Sequence, residues 1–340
     1  MKSSASGKSC RRKKSLLLAI GFLAVAIGQT GCVLREKGAT KAATPNLPRE
    51  SSFVLDEVAI PATDRSYPVW RTRSAGRPLL LLHPINGLSG DFLRFALELE
   101  TWGYRVYFPS LYGDPIKGEP AFGYDRELGS IRLLRESGTW NPVSPESSGP
   151  IVDDVRAIAR WVSRREGGRD LIVVGNSLTG TFPLALLDET CVKTAVLGQP
   201  ALPAMRLPQV MLRIPQSMDK RRALTLTKDQ WNRIIAALHR NPDKRLIGFH
   251  YLDDPIAPIE RFDSLHERLE AEGLADRFKA FVLSPDGGAY AAGRRSWVVG
   301  SDTVERPKML TPHSTYLDAE SLADREWFRD RLRGALETAR

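Results

Sequence analysis

Cysteine is scarce, with three in 340 residues at Cys10, Cys32 and Cys191. No C-x-x-C pair and no H-E-x-x-H stretch occurs, so the spacing of a structural or catalytic metal site is missing and no metal is expected. Gly287-Gly288 is not followed by the Lys-Ser/Thr of a phosphate-binding loop, and no cofactor is expected either. Residues 51–340 carry no basic stripe interleaved with aromatics. Arg329, Arg331 and Arg333 alternate with Glu326 and Asp330 as on a solvated helix face, so no nucleic-acid partner is expected. Internal repeats are absent. What remains is 42% hydrophobic and 26% charged, the balance of a globular protein of one large domain or two small ones. That balance excludes wholesale disorder and a multi-span membrane protein.

The formal charge of +9 sits mostly at one end. Residues 1–31 hold six basic side chains and no acidic one, which leaves 43 basic and 40 acidic residues beyond them. Arg11-Arg12-Lys13-Lys14 precedes an apolar run from Leu16 to Ile27, the pattern of a secretory signal. Thr30-Gly31-Cys32 then resembles the lipobox of bacterial lipoproteins, with Gln29 where that motif usually has an aliphatic residue. The resemblance implies a signal peptide over 1–31, an acylated Cys32, a flexible tether to residue 50 and a folded domain over 51–340. The competing reading is an uncleaved anchor, because residues 15–34 are 20 positions without a charge. Either places the chain outside the cytoplasm, tethered to a membrane of the cell envelope. After cleavage and acylation only Cys191 stays free, so the fold depends on its core rather than on a disulfide.

Beyond residue 50, apolar patterning alternates between periods. Residues 53–60 and 66–72 read as an early pair of strands. Leu79–Leu82, Leu171–Val174, Thr194–Leu197 and Leu246–Tyr251 are short unbroken apolar runs, as in strands buried on both faces. Tyr104–Phe108 and residues 278–283 complete the set. Helices are expected from Asp91 to Gly103 and over 153–166, 178–187, 228–240, 258–272 and 318–338. Residues 110–150, with a short helix near 125–135, and residues 199–225 read as irregular excursions, and 285–293 as a glycine-rich stretch. Strands separated by helices imply a mainly parallel sheet covered on both faces.

One stretch carries chemistry. The run Leu171-Ile-Val-Val-Gly175-Asn176-Ser177-Leu178-Thr179-Gly180 leads a buried strand through Gly-x-Ser into a helix. A serine on such a turn stands clear of the sheet as a nucleophile, with small residues needed two places before and after it. Gly175 satisfies this, and Thr179 departs from the usual glycine. A serine nucleophile needs a base and an orienting acid. His239 and His266 fall within helices, His250 within a strand, and His83 at a strand end. His313, in a loop before the last helix, is the best base by placement. If the order is Ser, acid, His, the acid lies after the strand Leu246–Tyr251, where Asp253 and Asp254 are adjacent. Asp254 is preferred because it directly precedes Pro255. Backbone donors for an oxyanion are expected from Leu178 and, in the loop His83–Gly90, from Ile85.

Together these segments resemble the α/β-hydrolase superfamily, and within it the dienelactone hydrolase family. The resemblance rests on His83-Pro-Ile-Asn-Gly87, Gly103-Tyr-Arg-Val-Tyr-Phe-Pro-Ser-Leu-Tyr-Gly113, the turn Gly175–Gly180, and Asp253-Asp-Pro-Ile-Ala-Pro258. It implies an α/β-hydrolase fold, with Ser177, Asp254 and His313 as nucleophile, acid and base and Ile85 and Leu178 as oxyanion donors. Two departures stand out: dienelactone hydrolases have a cysteine where this chain has Ser177, and an acidic residue where it has Pro84. Both favour a serine esterase acting on a small carboxylic ester over a dienelactone hydrolase. The alternatives are an acyltransferase using the same serine and a non-catalytic envelope protein on a hydrolase scaffold.

Overall fold

The structure, a computed structural model, describes residues 48–61, 63–112, 138–204, 217–254, 256–284, 297–301, 313, 315–317 and 322–338. Among these, nine strands build one sheet: β1 (Phe53–Ala59), β2 (Ser66–Thr72), β3 (Arg77–Leu82), β4 (Tyr104–Pro109), β5 (Leu171–Asn176), β6 (Val192–Gly198), β7 (Arg245–Tyr251), β8 (Phe278–Ser284) and β9 (Trp297–Ser301). Their order is β1-β2-β4-β3-β5-β6-β7-β8-β9. The pairs β1–β2 and β2–β4 are antiparallel, and the rest of the sheet is parallel. The chain runs outward from β3 to β4, then returns to lay β5 on the other side of β3, with Leu82 opposite Gly175. At such a reversal the connections leave toward opposite faces, and the crevice at the strands' carboxyl ends is where open α/β sheets hold ligands.

The unbroken apolar strands are explained by the two layers that cover them. Leu80, Leu82 and Val173 face α2 (Ile151–Arg165), α3 (Phe182–Ala185), α5 (Lys228–Arg240) and α6 (Glu260–Ala271). Leu79, Leu81, Ile172 and Val174 face α1 (Gly90–Thr101) and α7 (Leu322–Thr338). None of these seven strand residues is more than 2% exposed. Each such burial contributes about 1.5–3 kcal/mol. The last helix is tied to the first: Arg329 pairs with Glu98 and donates to the Tyr316 carbonyl at 2.8 Å, and Tyr104 Oη donates to the Leu336 carbonyl at 3.2 Å.

Local chemistry sets several element ends. Ser89 caps α1 by accepting from the Phe92 N–H at 3.4 Å, and Asp91 is a first-turn residue paired with Arg94. Thr227 and Gln230 form a reciprocal capping box at the start of α5. Helix α2 carries Asp153 and Asp154 in its first turn and Arg164 and Arg165 in its last, matching the helix dipole.

Three expectations change. The helix expected over 178–187 is a single 3-10 turn, Ser177–Thr179, followed by the short α3. The Ser177 carbonyl accepts from the Gly180 N–H and from the Ala201 N–H, both at 2.9 Å, instead of starting an α-helical ladder. The stretch 199–225 is not wholly irregular, since α4 (Met218–Arg222) lies in it. A ninth strand, β9, pairs with β8 where none was expected. The leader, Cys32, most of the tether, the helix near 125–135 and the glycine-rich 285–293 lie outside the described residues. No helix among the described residues is long and apolar enough to cross a membrane.

Candidate active site

Ser177 directly follows β5 on a backbone that L-residues rarely adopt, with φ +54°. A non-glycine residue held in the left-handed region is strained, and such strain persists only where the surroundings enforce it. They do so here. A Cβ at Gly175 would run into the Thr179 carbonyl and come within 2.9 Å of the Pro183 ring. A Cβ at Gly180 would lie 2.7 Å from the Gly198 carbonyl and from Pro200 Cα. The tight approach that glycine usually serves two places after the nucleophile therefore falls one residue later, at Gly180. Position 179 is free to carry a side chain, and Thr179 uses it. Its hydroxyl accepts from the Asn176 N–H at 3.2 Å and lies 3.1 Å from the His83 carbonyl, with the Leu82 and Asn176 carbonyls at 3.3 Å. One proton is shared among three acceptors, and the turn is fastened to the end of β3.

Ser177, His313 and Asp254 meet in one chain of hydrogen bonds. Ser177 Oγ is 2.8 Å from His313 Nε2, and His313 Nδ1 is 2.7 Å from Asp254 Oδ2. The carboxylate can only accept, so Nδ1 carries the proton and donates it. Nε2 then presents a lone pair that accepts from the serine hydroxyl. Asp254 is 3% exposed and Ser177 7% exposed, so the charge of the acid is spent inside the protein and not in solvent. The other Asp254 oxygen accepts from the Ile256 and Ala257 N–H groups at 2.8 and 3.2 Å. The sequence preferred Asp254 to Asp253, and it is Asp254 that reaches the imidazole.

Two buried cationic or basic groups stand behind the acid. Arg261 donates to the Pro200 carbonyl and, at 2.7 Å, to the Pro203 carbonyl, and its burial pulls its pKa down to about 9 against the opposing pull of Asp254. His250, wholly buried, hydrogen-bonds through Nδ1 with the Tyr251 carbonyl, and desolvation holds its pKa down at about 4. His239 is exposed on α5 near Glu272, and His266 sits on α6 beside Trp297. Neither approaches Ser177.

The loop after β3 is rigid for reasons the sequence did not make plain. His83 Nδ1 donates to the Pro84 carbonyl at 2.8 Å, and Nε2 accepts from the Leu111 N–H at 3.0 Å. Burial holds this imidazole neutral, with its pKa down at about 4. Gly87 closes the turn by donating to the Pro84 carbonyl at 3.0 Å. Tyr112 Oη donates to the Ile85 carbonyl at 2.9 Å. The Ile85 N–H has no acceptor among the described residues.

The base is held as firmly as the nucleophile. Beyond His313, Thr315 Oγ1 donates to Asn176 Oδ1 at 3.4 Å and Tyr316 Oη donates to the Gly175 carbonyl at 2.7 Å. Both anchors reach back to the strand that bears Ser177. Gln199 was also missed from the sequence. It is buried, has φ +37°, and donates from Nε2 to Asp254 Oδ2 at 2.7 Å. Among the described residues no three His, Cys, Asp or Glu side chains converge as metal ligands would. A separate cavity of about 520 Å³ lies at the start of α2, lined by Trp140, Asn141, Ser147, Pro150 and Gln230, and none of the three hydrogen-bonded residues lines it.

No protein-family model and no curated protein sequence matches the chain. Solved structures do. A dienelactone hydrolase-like promiscuous phosphotriesterase from metagenomic libraries is 12% identical, with 85% of this chain and 99% of that one covered at a TM-score of 0.51. The fold is the α/β-hydrolase fold. A putative dienelactone hydrolase from Klebsiella pneumoniae is 18% identical over 72% of this chain and 92% of its own, at a TM-score of 0.43. An esterase from Pyrococcus furiosus is 16% identical over 68% and 83%, at 0.42. On the α/β-hydrolase fold, the reversal between β3 and β5 places the turn at Ser177 and the loop at Ile85 side by side.

Proposed function

We propose that the protein is a serine hydrolase cleaving carboxylic esters through an acyl-enzyme. The observation that carries this reading is the unbroken Ser177–His313–Asp254 hydrogen-bond chain, on a strained turn at the carboxyl end of the sheet. In the acylation step Ser177 Oγ attacks the ester carbonyl as His313 Nε2 takes its proton. Asp254 holds the tautomer and stabilises the imidazolium. The carbonyl oxygen becomes an anion, for which the Leu178 and Ile85 N–H groups are the proposed donors. His313 returns the proton to the leaving alkoxide. Water, deprotonated by the same histidine, then releases the acid and restores Ser177.

The short 3-10 turn and four-residue α3 after Ser177 put little helix dipole behind that anion. Its stabilisation on this reading falls to individual N–H groups, which makes the rigidity of the His83–Gly87 turn important. The leader sequence and Cys32 extend the reading to an envelope lipoprotein whose domain works at a membrane surface. A fluorophosphonate probe tests the chemistry: it should label wild type and fail to label Ser177→Ala. A wild-type protein that neither labels nor hydrolyses short p-nitrophenyl esters would be a non-catalytic scaffold. Transfer to added glycerol in place of water would mark an acyltransferase. Intact mass of the membrane-extracted protein tests the anchor, since a species still starting at Met1 without acyl mass rules out lipidation at Cys32.

A further inference from the structure

We propose that Gln199 is a positioning residue that locks the Asp254 carboxylate so that Oδ2 faces His313. This deepens the serine-hydrolase reading and rests on it. An ionised carboxylate offers about four acceptor directions. In Asp254 four donors fill them: the Ile256 and Ala257 N–H groups on Oδ1, and His313 Nδ1 and Gln199 Nε2 on Oδ2. The two backbone donors hold one oxygen only. Gln199 supplies the second point of attachment, on the oxygen that orients the base.

Gln199 is an expensive choice for its place. It is fully buried, its Oε1 has no partner among the described residues, and its backbone is left-handed at φ +37°. A leucine or methionine would fill the same space with no orphaned carbonyl. Only the NH₂ end of an amide can face a carboxylate, so the side chain's orientation is fixed by chemistry. Its backbone N–H donates to the Phe249 carbonyl of β7 at 2.9 Å, and two residues later the Ala201 N–H donates to the Ser177 carbonyl at 2.9 Å. The segment thus touches the strand leading to the acid, the acid itself and the nucleophile turn. Arg261 grips the Pro200 and Pro203 carbonyls from α6 and keeps that segment in place.

Among the described residues, the charged and titratable groups around Asp254 are His313, His250 from β7, and Arg261 from α6. Glu260 and Arg221 lie beyond Arg261, and Asp253 is next in the chain.

The test compares wild type, Gln199→Leu and Gln199→Glu in the full chain, using p-nitrophenyl butyrate turnover and fluorophosphonate labelling across pH, with circular dichroism as the folding control. For Gln199→Leu, kcat should fall roughly tenfold to a hundredfold, the scale of one hydrogen bond to a charged group, with KM within about twofold. For Gln199→Glu the new carboxyl, buried against Asp254, keeps its proton as one of two carboxyls sharing a site and donates as the amide did, so kcat should recover to within a few-fold of wild type. Wild type that labels and turns over, beside a folded Gln199→Leu with unchanged kcat or a folded Gln199→Glu no more active than Gln199→Leu, overturns the positioning role and leaves the hydrolase reading intact. Wild type that does not label overturns both. Failure of both variants to fold assigns Gln199 to structure alone and overturns the proposal.

Discussion

The Thr179 hydroxyl lies 3.1 Å from the carbonyl of His83, joining the turn that bears Ser177 to the loop that bears Ile85. A glycine at position 179 could not make this link. Thr179→Val keeps the shape and removes the hydroxyl, leaving the buried Asn176 N–H without its acceptor. Stability should drop by about 1–3 kcal/mol in urea melts, and Thr179→Ser should recover most of it. Equal stability of the Val and Ser variants would mean the hydroxyl does not matter.

Two glycines should respond in opposite directions to alanine. At Gly180 the new Cβ meets backbone at 2.7 Å, so Gly180→Ala should cost roughly 1–3 kcal/mol and slow labelling of Ser177. At Gly334, within α7, nothing lies within 4 Å of a Cβ, and Gly334→Ala should stabilise by about 0.5–1 kcal/mol. Thermal melts of the pair read both signs in one experiment.

The neighbouring aspartates should separate by orders of magnitude. Asp254→Asn lets His313 take the wrong tautomer, and kcat should fall by about four orders. Asp253→Asn should leave kcat within a few-fold of wild type, because the imidazole is oriented by Asp254. A larger loss at Asp253 would reassign the acid.

Stability should fall on mild acidification. His83 and His250 are buried and neutral, with folded pKa values near 4 against 6.5 in the open chain. Between those limits the unfolded chain binds protons that the folded one refuses, so stability rises with pH through this window. It is complete above about pH 6.5 and declines toward pH 4, by roughly 1.4 kcal/mol per pH unit for each histidine. Urea midpoints at pH 7 and 5 measure the slope. His83→Asn should reduce it, and an unchanged slope would show that His83 is not responsible.

What the sequence revealed follows from which interactions are local. Strands β3, β5, β6 and β7 were legible because burial on both faces leaves unbroken apolar runs. Ser177 was legible because its turn is encoded within six residues, and Asp254 and His313 because each lies in a loop after a strand. Strand β9 was hidden: its pairing with β8 is non-local, and only three of its five residues, Trp297–Val299, are apolar. The interrupted helix after Ser177 was hidden for a similar reason. What shortens it is Ala201, arriving from the segment after β6 to take the Ser177 carbonyl. Gln199 left one faint signal, a polar residue between Gly198 and Pro200, since proline disfavours an α conformation before it. Nothing local says that its amide meets Asp254.

Ser177 and His313 are 136 positions apart, and the loop of His313 is held by Tyr316, which in turn receives Arg329 from the last helix. On the proposed reading, the catalytic base reaches the nucleophile only by a closure across that whole separation. A chain folded only through β5 has its nucleophile but no base, and so stays inert. Activity then begins only when α7 has docked against α1, which makes hydrolysis a report on the long-range closure of the fold.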